Sequence, residues 1–333
     1  PKCSASARLE KKRCPGRCSP SLRRAISFSF TKVTAGLRGR GMANHNHTSS
    51  LKNRYRNDWP RARCGLSGIM TPSPLDGKVI VVMGGTTGLG LSATQAFVAA
   101  GARVVVVGRS PENAAGAVTL LGDAARVVTG DASDPATARR AIAEAVSSFG
   151  RIDGLYHVAG GSGRRQGDGP LHELTDEGWR ATVDLNLTSL IYSNRAAVRQ
   201  FLAQGGGGVV LNMGSVLGSS PSPHFFATHG YAATKSAVIG FTRSAAAYYA
   251  PKNIRFNVLT PALVETPMSR RAADDDSIRS FIKTKQPLDG GRIGQPSDCD
   301  GAAVYFLSDA ARFVTGQVLA IDGGWSVSEG QLP

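Results

Sequence analysis

From residue 75 to the C-terminus, short apolar runs alternate with longer segments of helical periodicity, and this alternation limits the folds open to the chain. Continuous apolar runs are typical of parallel strands buried on both faces, and strands that alternate with helices form right-handed βαβ crossovers. The sequence therefore predicts an α/β fold with one doubly wound parallel sheet of about seven strands and helices on both faces. The predicted strands lie in LDGKVIVVMGG, ARVVVVGRS, RVVTGDASD, IDGLYHVAGG, GGGVVLNMGS, NIRFNVLTPA and GQVLAIDGG, and helices are predicted at about 91–100, 135–149, 175–199 and 230–250.

The first 74 residues differ in composition from the rest of the chain. They carry 16 of the 39 lysines and arginines but only 2 of the 24 acidic residues, which leaves 23 basic and 22 acidic residues in the remainder. This segment is rich in Ser, Arg, Gly and Pro and poor in aromatic residues, so it cannot bury enough apolar surface to offset the entropy lost on ordering. We expect a disordered basic tail over 1–74 and a single folded domain over 75–333.

The tail has three interpretations. It is a transit-like peptide, a polybasic arm, or an upstream start assigned in error, since Met42 and Met70 both precede the organised region. Four of the five cysteines lie in the tail and Cys299 stands alone in the body, which suits a reducing compartment and predicts no metal site. We expect a cytoplasmic protein, or an organellar one if the tail is a genuine transit peptide. No run of about eighteen apolar residues occurs, so no membrane span is expected.

The first predicted strand ends in a glycine-rich turn, GGTTGLG, at residues 84–90. Glycines in such a turn let the backbone approach a pyrophosphate, and the following helix offers free N–H groups and the positive end of its dipole to the anion. A purely structural strand-to-helix turn would also use glycine. Its position after the first strand and before the first helix favours a dinucleotide site at the carboxyl ends of the strands.

The second strand is expected to select the cofactor. It ends in VVGRS, so Gly108 occupies the place of an acid that would bind the ribose 2′-OH of NAD, and Arg109 follows. Because a guanidinium is a multidentate phosphate ligand, the sequence favours NADP(H), with NAD(H) as the second option. A solvated loop arginine is the alternative for Arg109. After the third strand, Asp131 is placed to accept from the adenine amino group, unless it only forms an Asx turn.

The segment YAATK places Tyr231 and Lys235 one helical turn apart on the same face. Five residues alone do not distinguish an exposed surface pair from a base and the cation that tunes it. Further motifs occur around this pair. They are Gly84-x-x-x-Gly88-x-Gly90, HVAG at 157–160, Asn186 in VDLNLTS, Ser215 in LNMGS, Tyr231-x-x-x-Lys235, TPALVETPM at 260–268 and IDGGW at 321–325. Together these motifs resemble the short-chain dehydrogenase/reductase family over essentially all of 75–333.

The resemblance implies a Rossmann-type oxidoreductase domain and a role for each matching residue. Tyr231 would be the general acid/base, and Lys235 would lower its pKa and bind the nicotinamide ribose. Ser215 would stabilise charge on the substrate oxygen, and Asn186 would hold a water that links Lys235 to solvent. The cofactor-binding residues expected are Gly84, Thr86, Thr87, Gly88, Leu89, Gly90, Arg109, Asp131, Ala132, Ala159, Gly160, Tyr231, Lys235, Pro261, Val264 and Thr266.

Several positions depart from the family pattern without removing a catalytic group. Met83 replaces a frequent Thr, His157-Val158 replaces an Asn-Asn pair, and Ala262 replaces a glycine. We expect His157 to be a structural substitute that hydrogen-bonds backbone. The connection from Ser215 to Tyr231 looks longer than usual, so it is expected to line or cover the substrate pocket, or to form an oligomer contact. Its residues in question are Pro221, Pro223, His224, Phe225 and Phe226.

Residues 264–292 occupy the place of the family's mobile substrate lid. Basic residues there or near the fourth strand could meet an anionic substrate, although a solvated helix face is the simpler interpretation of their charge. They are Arg164, Arg165, Arg270, Arg271, Lys283 and Lys285, opposed in part by Asp274, Asp275 and Asp276.

The leading hypothesis is an NADP(H)-dependent oxidoreductase that acts on a secondary alcohol or its ketone, with 3-oxoacyl thioesters among the candidate substrates. The overall similarity is to 3-oxoacyl-carrier-protein reductases and general alcohol/ketone oxidoreductases. A dinucleotide sensor without turnover is the alternative, and a nucleic-acid or membrane binder acting through the basic tail is a third hypothesis. The predicted helices at 176–199 and 231–250 carry extensive apolar faces, and by resemblance we expect them to pair in a homotetramer.

Overall fold

The computed structural model describes residues 73–332, so the tail prediction lies almost entirely outside the described residues. Within this range the chain forms the predicted single sheet. Seven parallel strands are ordered β3-β2-β1-β4-β5-β6-β7, which confirms the doubly wound topology. The strands are β1 (Val79–Met83), β2 (Arg103–Gly108), β3 (Ala125–Thr129), β4 (Gly154–His157), β5 (Gly208–Met213), β6 (Ile254–Pro261) and β7 (Val318–Ile321).

Helices cover both faces of the sheet, and β1 shows why its sequence is continuously apolar. Ile80 and Val82 join one buried cluster with Phe97 of α1, whereas Val79 and Val81 point to the opposite cluster. Successive side chains of a strand alternate between faces, so both sets must be apolar when both faces are covered. The helices are α1 (Gly88–Ala99), α2 (Pro111–Leu121), α3 (Pro135–Phe149), α4 (Asp176–Val183), α5 (Ser189–Gln204), α6 (His229–Tyr249), α7 (Arg270–Ala273), α8 (Asp276–Lys285) and α9 (Asp300–Leu307).

The predicted helix over 175–199 is interrupted. A π-helical turn, Asp184–Thr188, separates α4 from α5, and the helical region then runs on to Gln204. A π turn widens the helix locally, and such turns are frequent at functional sites. Asn186 lies inside the turn and is fully buried. The residue expected to act in catalysis therefore sits at the one place where this helix leaves α geometry.

Two further observations concern residues 73–332 alone. No helix in this range is both long and apolar enough to cross a membrane. In the same part of the chain, no group of three or more His, Cys, Asp or Glu side chains is arranged to hold a metal ion.

Candidate active site

Two adjoining hollows open at the carboxyl ends of the strands. One, the dinucleotide cleft, is bounded by the glycine turn and the ends of β2 and β3. The other, the substrate cavity, is bounded by the ends of β5 and β6 and by the start of α6. They share Leu89, Val158, Gly160, Thr266 and Met268. A ligand that fills the cleft therefore reaches the border of the cavity.

Tyr231 and Lys235 both line the substrate cavity, and they are not a surface pair. Lys235 is 3% exposed, and its Nζ lies 5.4 Å from the centroid of the Tyr231 ring. The ammonium donates to the backbone oxygen of Met213 at 2.9 Å. Burial lowers the pKa of Lys235 to about 8. The geometry is that of a buried cation beside a tyrosine.

The pKa of Tyr231 moves in the direction opposite to the prediction. Burial raises the pKa of Tyr231 above 10.0, and a hydrogen bond with the Ser215 hydroxyl lowers it only in part. Lys235 is not among the causes of this shift, and burial makes its own ammonium less basic. Ser215 Oγ also accepts from the Leu217 amide at 3.2 Å, which fixes the hydroxyl between backbone and Tyr231.

Asn186 braces the loop that follows β4. Its Nδ2 donates to the Gly161 and Thr182 carbonyl oxygens, both at 2.9 Å, and its Oδ1 accepts from the Gly161 amide at 3.0 Å. Both amide hydrogens are therefore used, and Oδ1 keeps one free lone pair. A Cβ on Gly160 would lie 2.7 Å from Asn186 Oδ1 and 3.6 Å from Lys235 Nζ. The space beside Gly160 is thus common to both side chains.

Asp168 contacts the start of α6 next to Tyr231, and sequence reasoning did not single it out. It is 5% exposed, and its two carboxylate oxygens accept from the Gly230 amide at 2.9 Å and from the Tyr231 amide at 2.8 Å. A carboxylate at a helix N-terminus satisfies free N–H groups and complements the helix dipole. Asp168 therefore fixes the backbone of Tyr231 itself. Its only signal in the sequence is an acid between two glycines, which reads as a turn.

The dinucleotide cleft fits the group predicted for it. The φ of Gly84 is +86°, and a Cβ there would lie 2.7 Å from the Ala159 backbone nitrogen, so only glycine leaves this wall open. Within residues 73–332, the N-cap residue Thr87 makes no side-chain capping bond, which leaves the first N–H groups of α1 free for an anion. The cleft is lined by the predicted Gly84, Thr86, Thr87, Gly88, Leu89, Arg109, Asp131, Ala132, Ala159, Gly160 and Thr266.

The remaining cofactor predictions are distributed differently. Pro261, Val264, Tyr231 and Lys235 line the adjoining substrate cavity. Gly90 does not belong to the lining of either hollow. It packs instead against the Gly84 carbonyl, so this glycine serves the close approach of α1 to β1. Lining residues of the cleft that the sequence reasoning missed include Ser110, Asn113, Leu185, Pro267 and Met268.

Arg109 and Asp131 face each other across the mouth of the cleft. Arg109 Nη1 lies 3.9 Å from Asp131 Oδ2, and the Arg109 side chain is 70% exposed. Asp131 forms the Asx turn considered as its alternative role, because Oδ1 accepts from the Ser133 amide and hydroxyl at 2.8 and 2.7 Å. Burial alone would raise the pKa of Asp131, but these bonds and Arg109 bring it below its ordinary value. Its Oδ2 stays directed towards the cleft mouth and Arg109.

His157 is buried, as a structural histidine should be, but its partners are not mainly backbone groups. Nδ1 lies 2.8 Å from Ser193 Oγ, and Nε2 lies 3.4 Å from Ser189 Oγ. Burial and then the charge of Lys235 lower the pKa of His157 to about 3, against a smaller effect of the Ala159 backbone. Serine hydroxyls of α5 thus add to the predicted backbone contact, which lies at Ala159.

Only part of the predicted pocket wall reaches the substrate cavity. Of the residues expected from the connection after Ser215, Phe226 lines the cavity, whereas the Phe225 ring packs on Phe281 at 5.3 Å. Of the six basic residues considered, Arg164 and Arg271 line it. Lys285 is buried elsewhere, where its ammonium bonds the Ser328 carbonyl. Ala262, Leu263, Val264 and Trp325 complete an apolar wall.

Comparison with known proteins agrees with this geometry. Residues 84–326 match the family described as enoyl-(acyl carrier protein) reductase. The chain is 35% identical over 256 residues to a 2,5-dichloro-2,5-cyclohexadiene-1,4-diol dehydrogenase of Sphingobium indicum, covering 76% of this chain and 99% of that protein. It is 32% identical over 251 residues to the cis-4-hydroxycyclohexanecarboxylate dehydrogenase of Sinomonas cyclohexanicum, covering 75% and 96%.

A solved short-chain dehydrogenase/reductase from Mycobacterium ulcerans superposes with a TM-score of 0.71 at 34% identity, over 77% of this chain and 92% of that one. The fold, the matched length and the sequence identity all support membership of one family. The chain therefore belongs to the short-chain dehydrogenase/reductase family of nicotinamide-dependent oxidoreductases that act on CH–OH groups.

Proposed function

We propose that this protein is an NADP(H)-dependent oxidoreductase that interconverts a secondary alcohol and its ketone, with Tyr231 as general acid/base. The observation that carries the proposal is the meeting of three side chains at one cavity. Tyr231, Ser215 and the buried Lys235 all line it, and Lys235 Nζ lies 5.4 Å from the centroid of the Tyr231 ring. A dinucleotide sensor would have no need for a buried ammonium next to a tyrosine, since such a charge is costly to bury.

The chain's own residues move the proton. When bound, the nicotinamide cofactor supplies the hydride to the carbonyl carbon or removes it from the alcohol carbon. Tyr231 gives its hydroxyl proton to the ketone oxygen during reduction, and its deprotonated form takes the alcohol proton during oxidation. Its raised pKa keeps the hydroxyl protonated at neutral pH, which favours the donor role. The Ser215 hydroxyl donates to the same oxygen and stabilises charge that develops on it.

A proton path from Lys235 to solvent is part of the proposal. Asn186 Oδ1 has one lone pair left and lies near Lys235 Nζ on the same side of Gly160. A water accepted there would connect the ammonium with the loop after β4. Asn186 thereby serves two purposes, because the same amide holds that loop in place.

Replacing Tyr231 with Phe tests the proposal. We expect NADPH-dependent reduction of a responsive ketone to fall by about 10²–10⁴-fold in kcat, because the proton donor is lost while the ring remains. The measurement is NADPH oxidation with a panel of cyclic ketones, diketones and 3-oxoacyl thioesters. Tyr249→Phe on the same helix is the control, and it should retain wild-type turnover. Unchanged turnover in Tyr231→Phe would contradict the assignment of the acid/base.

The NADP(H) preference depends on Arg109. A guanidinium at the cleft mouth suits a 2′-phosphate, and charged hydrogen bonds of this kind justify an expected rise of about ten-fold or more in KM for NADPH in Arg109→Ala. The KM for NADH should change little. Asp131 lies beside the same guanidinium, and its negative charge would repel a 2′-phosphate bound there. NAD(H) is therefore the competing choice. An equal loss with both cofactors would overturn the phosphate role of Arg109.

We further propose a homotetramer formed through α5 and α6. Exposed residues on α6 include small side chains on one face, which would let two helices approach closely, and the large Tyr248 is 77% exposed. A cytoplasmic location, or an organellar one if residues 1–74 form a transit peptide, is the compartment that fits the cysteine usage.

A further inference from the structure

The substrate cavity is apolar over most of its wall, but it contains more positive charge than the chemistry of Tyr231 requires. Among residues 73–332, the charged side chains that line it are Lys235, Arg164 and Arg271, and none of them is acidic. Lys235 is already committed to the Met213 carbonyl and to the catalytic tyrosine. The guanidinium groups of Arg164 and Arg271 remain, and neither has a role in the proposed reaction.

Arg164 is fixed in place. Its side chain is half-buried, and Nη2 donates to the Phe225 carbonyl at 3.2 Å, which ties the loop after β4 to the loop before α6. This one bond leaves most of the guanidinium's five N–H donors open to another acceptor. These donors face the cavity and are available to a ligand that enters it.

Arg271 lies on α7, in the segment that covers the cavity, and approaches Arg164 closely enough to influence it. Burial first, and then the charge of Arg271, lower the pKa of Arg164, against an opposing effect of Asp168. Among the described residues Asp168 forms no ion pair with either arginine, and its two oxygens accept from the Gly230 and Tyr231 amides. Two like charges therefore converge on one side of the cavity.

The two guanidinium groups in this corner suit an anion. A carboxylate offers two planar oxygens that match the paired N–H groups of a guanidinium, so one carboxylate can accept from Arg164 and Arg271 together. The neighbouring wall, with Leu217, Phe226 and Trp325, suits an apolar carbon skeleton.

We propose that Arg164 and Arg271 bind a substrate carboxylate, so that the substrate is an oxo or hydroxy acid with a compact apolar body. The inference rests on the proposed function of the same cavity. Arg271 belongs to α7, in the segment over the cavity, and Arg164 belongs to the loop after β4. One carboxylate bound to both arginines would therefore contact both segments and align the reacting carbon with Tyr231. Arg164 and Arg271 are thus specificity-determining residues.

Binding of a non-reacting acid tests this directly. Calorimetric titration would compare cyclohexanecarboxylate with cyclohexanecarboxamide on the full chain saturated with NADP⁺. We expect the acid to bind at least about ten-fold more tightly than the amide, because a charged hydrogen bond is worth more than a neutral one. Arg164→Gln and Arg271→Gln should each remove about ten-fold of the acid's affinity and leave that of the amide nearly unchanged.

Arg165→Gln and Arg270→Gln are matched controls, since each changes an arginine adjacent in sequence that does not line the cavity. Both should keep the preference for the acid. Equal affinity for acid and amide, no binding of the acid, or an equal loss in the control variants would overturn the carboxylate assignment. Tighter binding of cyclohexyl phosphate than of the acid would also overturn it in favour of a phosphate.

The two proposals fail separately. Reduction of 4-methylcyclohexanone that is lost in Tyr231→Phe tests the oxidoreductase assignment without any carboxylate. Reduction of 4-oxocyclohexanecarboxylate against its methyl ester then tests the anion preference under turnover. If the neutral ketone is reduced and 4-oxocyclohexanecarboxylate is reduced no better than its methyl ester, only the carboxylate inference is wrong. If the acid binds selectively but no ketone is reduced, the carboxylate role of Arg164 and Arg271 is supported and the proposed reaction is wrong.

Discussion

His157 shows how a departure from the family pattern is accommodated at a single residue. The ring is 1% exposed and contacts the Ser193 and Ser189 hydroxyls, so it connects the end of β4 to α5. Because its pKa lies at about 3, the ring is neutral at physiological pH and adds no second positive charge next to Lys235. A hydrogen-bonding side chain was predictable from the position, whereas the serine partners, 32 and 36 residues away, were not.

Acid should therefore destabilise the protein partly through His157. The folded-state pKa is depressed from 6.5 to about 3, so the stability is fully present above pH 6.5 and is lost as the pH falls towards 3. Urea unfolding at pH 7 and pH 4.5 measures this loss. In His157→Asn, the difference between the two pH values should shrink by on the order of 2 kcal/mol. His172→Asn, at an exposed site, is the control. An unchanged difference in His157→Asn would exclude this residue as a source of acid sensitivity.

At the level of elements, the N-terminus of α6 is positioned by the loop that connects β4 to α4. Asp168 lies 62 and 63 residues before the amides that it accepts from, and no periodicity or motif in the sequence connects these positions. The π turn at Asp184–Thr188 escaped prediction for a related reason. A single widened turn changes the apolar pattern too little to predict a break in the helix. The contact that stabilises the turn, from Asn186 to the Gly161 carbonyl, joins residues of different elements, so the local sequence does not reveal it.

Asp168→Ala should impair catalysis more than its effect on folding explains. The substitution leaves the Gly230 and Tyr231 amides without their acceptor, so Tyr231 is expected to shift slightly. Because proton transfer depends on the position of Tyr231, we expect kcat to fall by about ten- to a hundred-fold. The loss of stability should be about 1–3 kcal/mol. Asp168→Asn keeps one acceptor oxygen and should be intermediate.

The control for this prediction is Asp134→Ala. Asp134 caps α3 through the Ala136 amide at 2.8 Å, away from both hollows, so it should cost about 1 kcal/mol of stability and leave kcat unchanged. Steady-state kinetics and urea unfolding on the same preparations separate the two effects. If Asp168→Ala lost only stability, the carboxylate would be a helix cap with no positioning role.

For the whole molecule, the sheet was the most predictable feature and the chemistry of the cavity wall the least. Alternating strands and helices define a doubly wound sheet, and ligands then belong at the carboxyl ends of its strands. No comparable rule predicts which charged residues reach the cavity. Arg164 and Arg271 reach the cavity while Arg165 and Arg270, their neighbours in sequence, do not, because loop and lid backbones decide where such side chains point.

The predicted tetramer can be tested at a position where a larger side chain fits the isolated chain. Gly240 is exposed on α6, and a Cβ added there would meet no described atom within 4 Å outside its neighbours and the backbone of its own helix. In a tetramer formed through α6, a glutamate at this position would place a bulky charge in the contact between subunits. Gly240→Glu should therefore dissociate the assembly without unfolding the subunit, since replacing a helical glycine favours the helix.

Analytical ultracentrifugation at micromolar concentration gives the outcome. Wild type should sediment with four times the subunit mass, and Gly240→Glu with a smaller mass at an unchanged or higher Tm. Gly116→Glu is the matched control, because Gly116 is also an exposed helical glycine with open space around it but lies on α2. That variant should remain tetrameric. A wild type that sediments as a monomer would contradict the tetramer, and equal dissociation in both variants would exclude α6 as its specific interface.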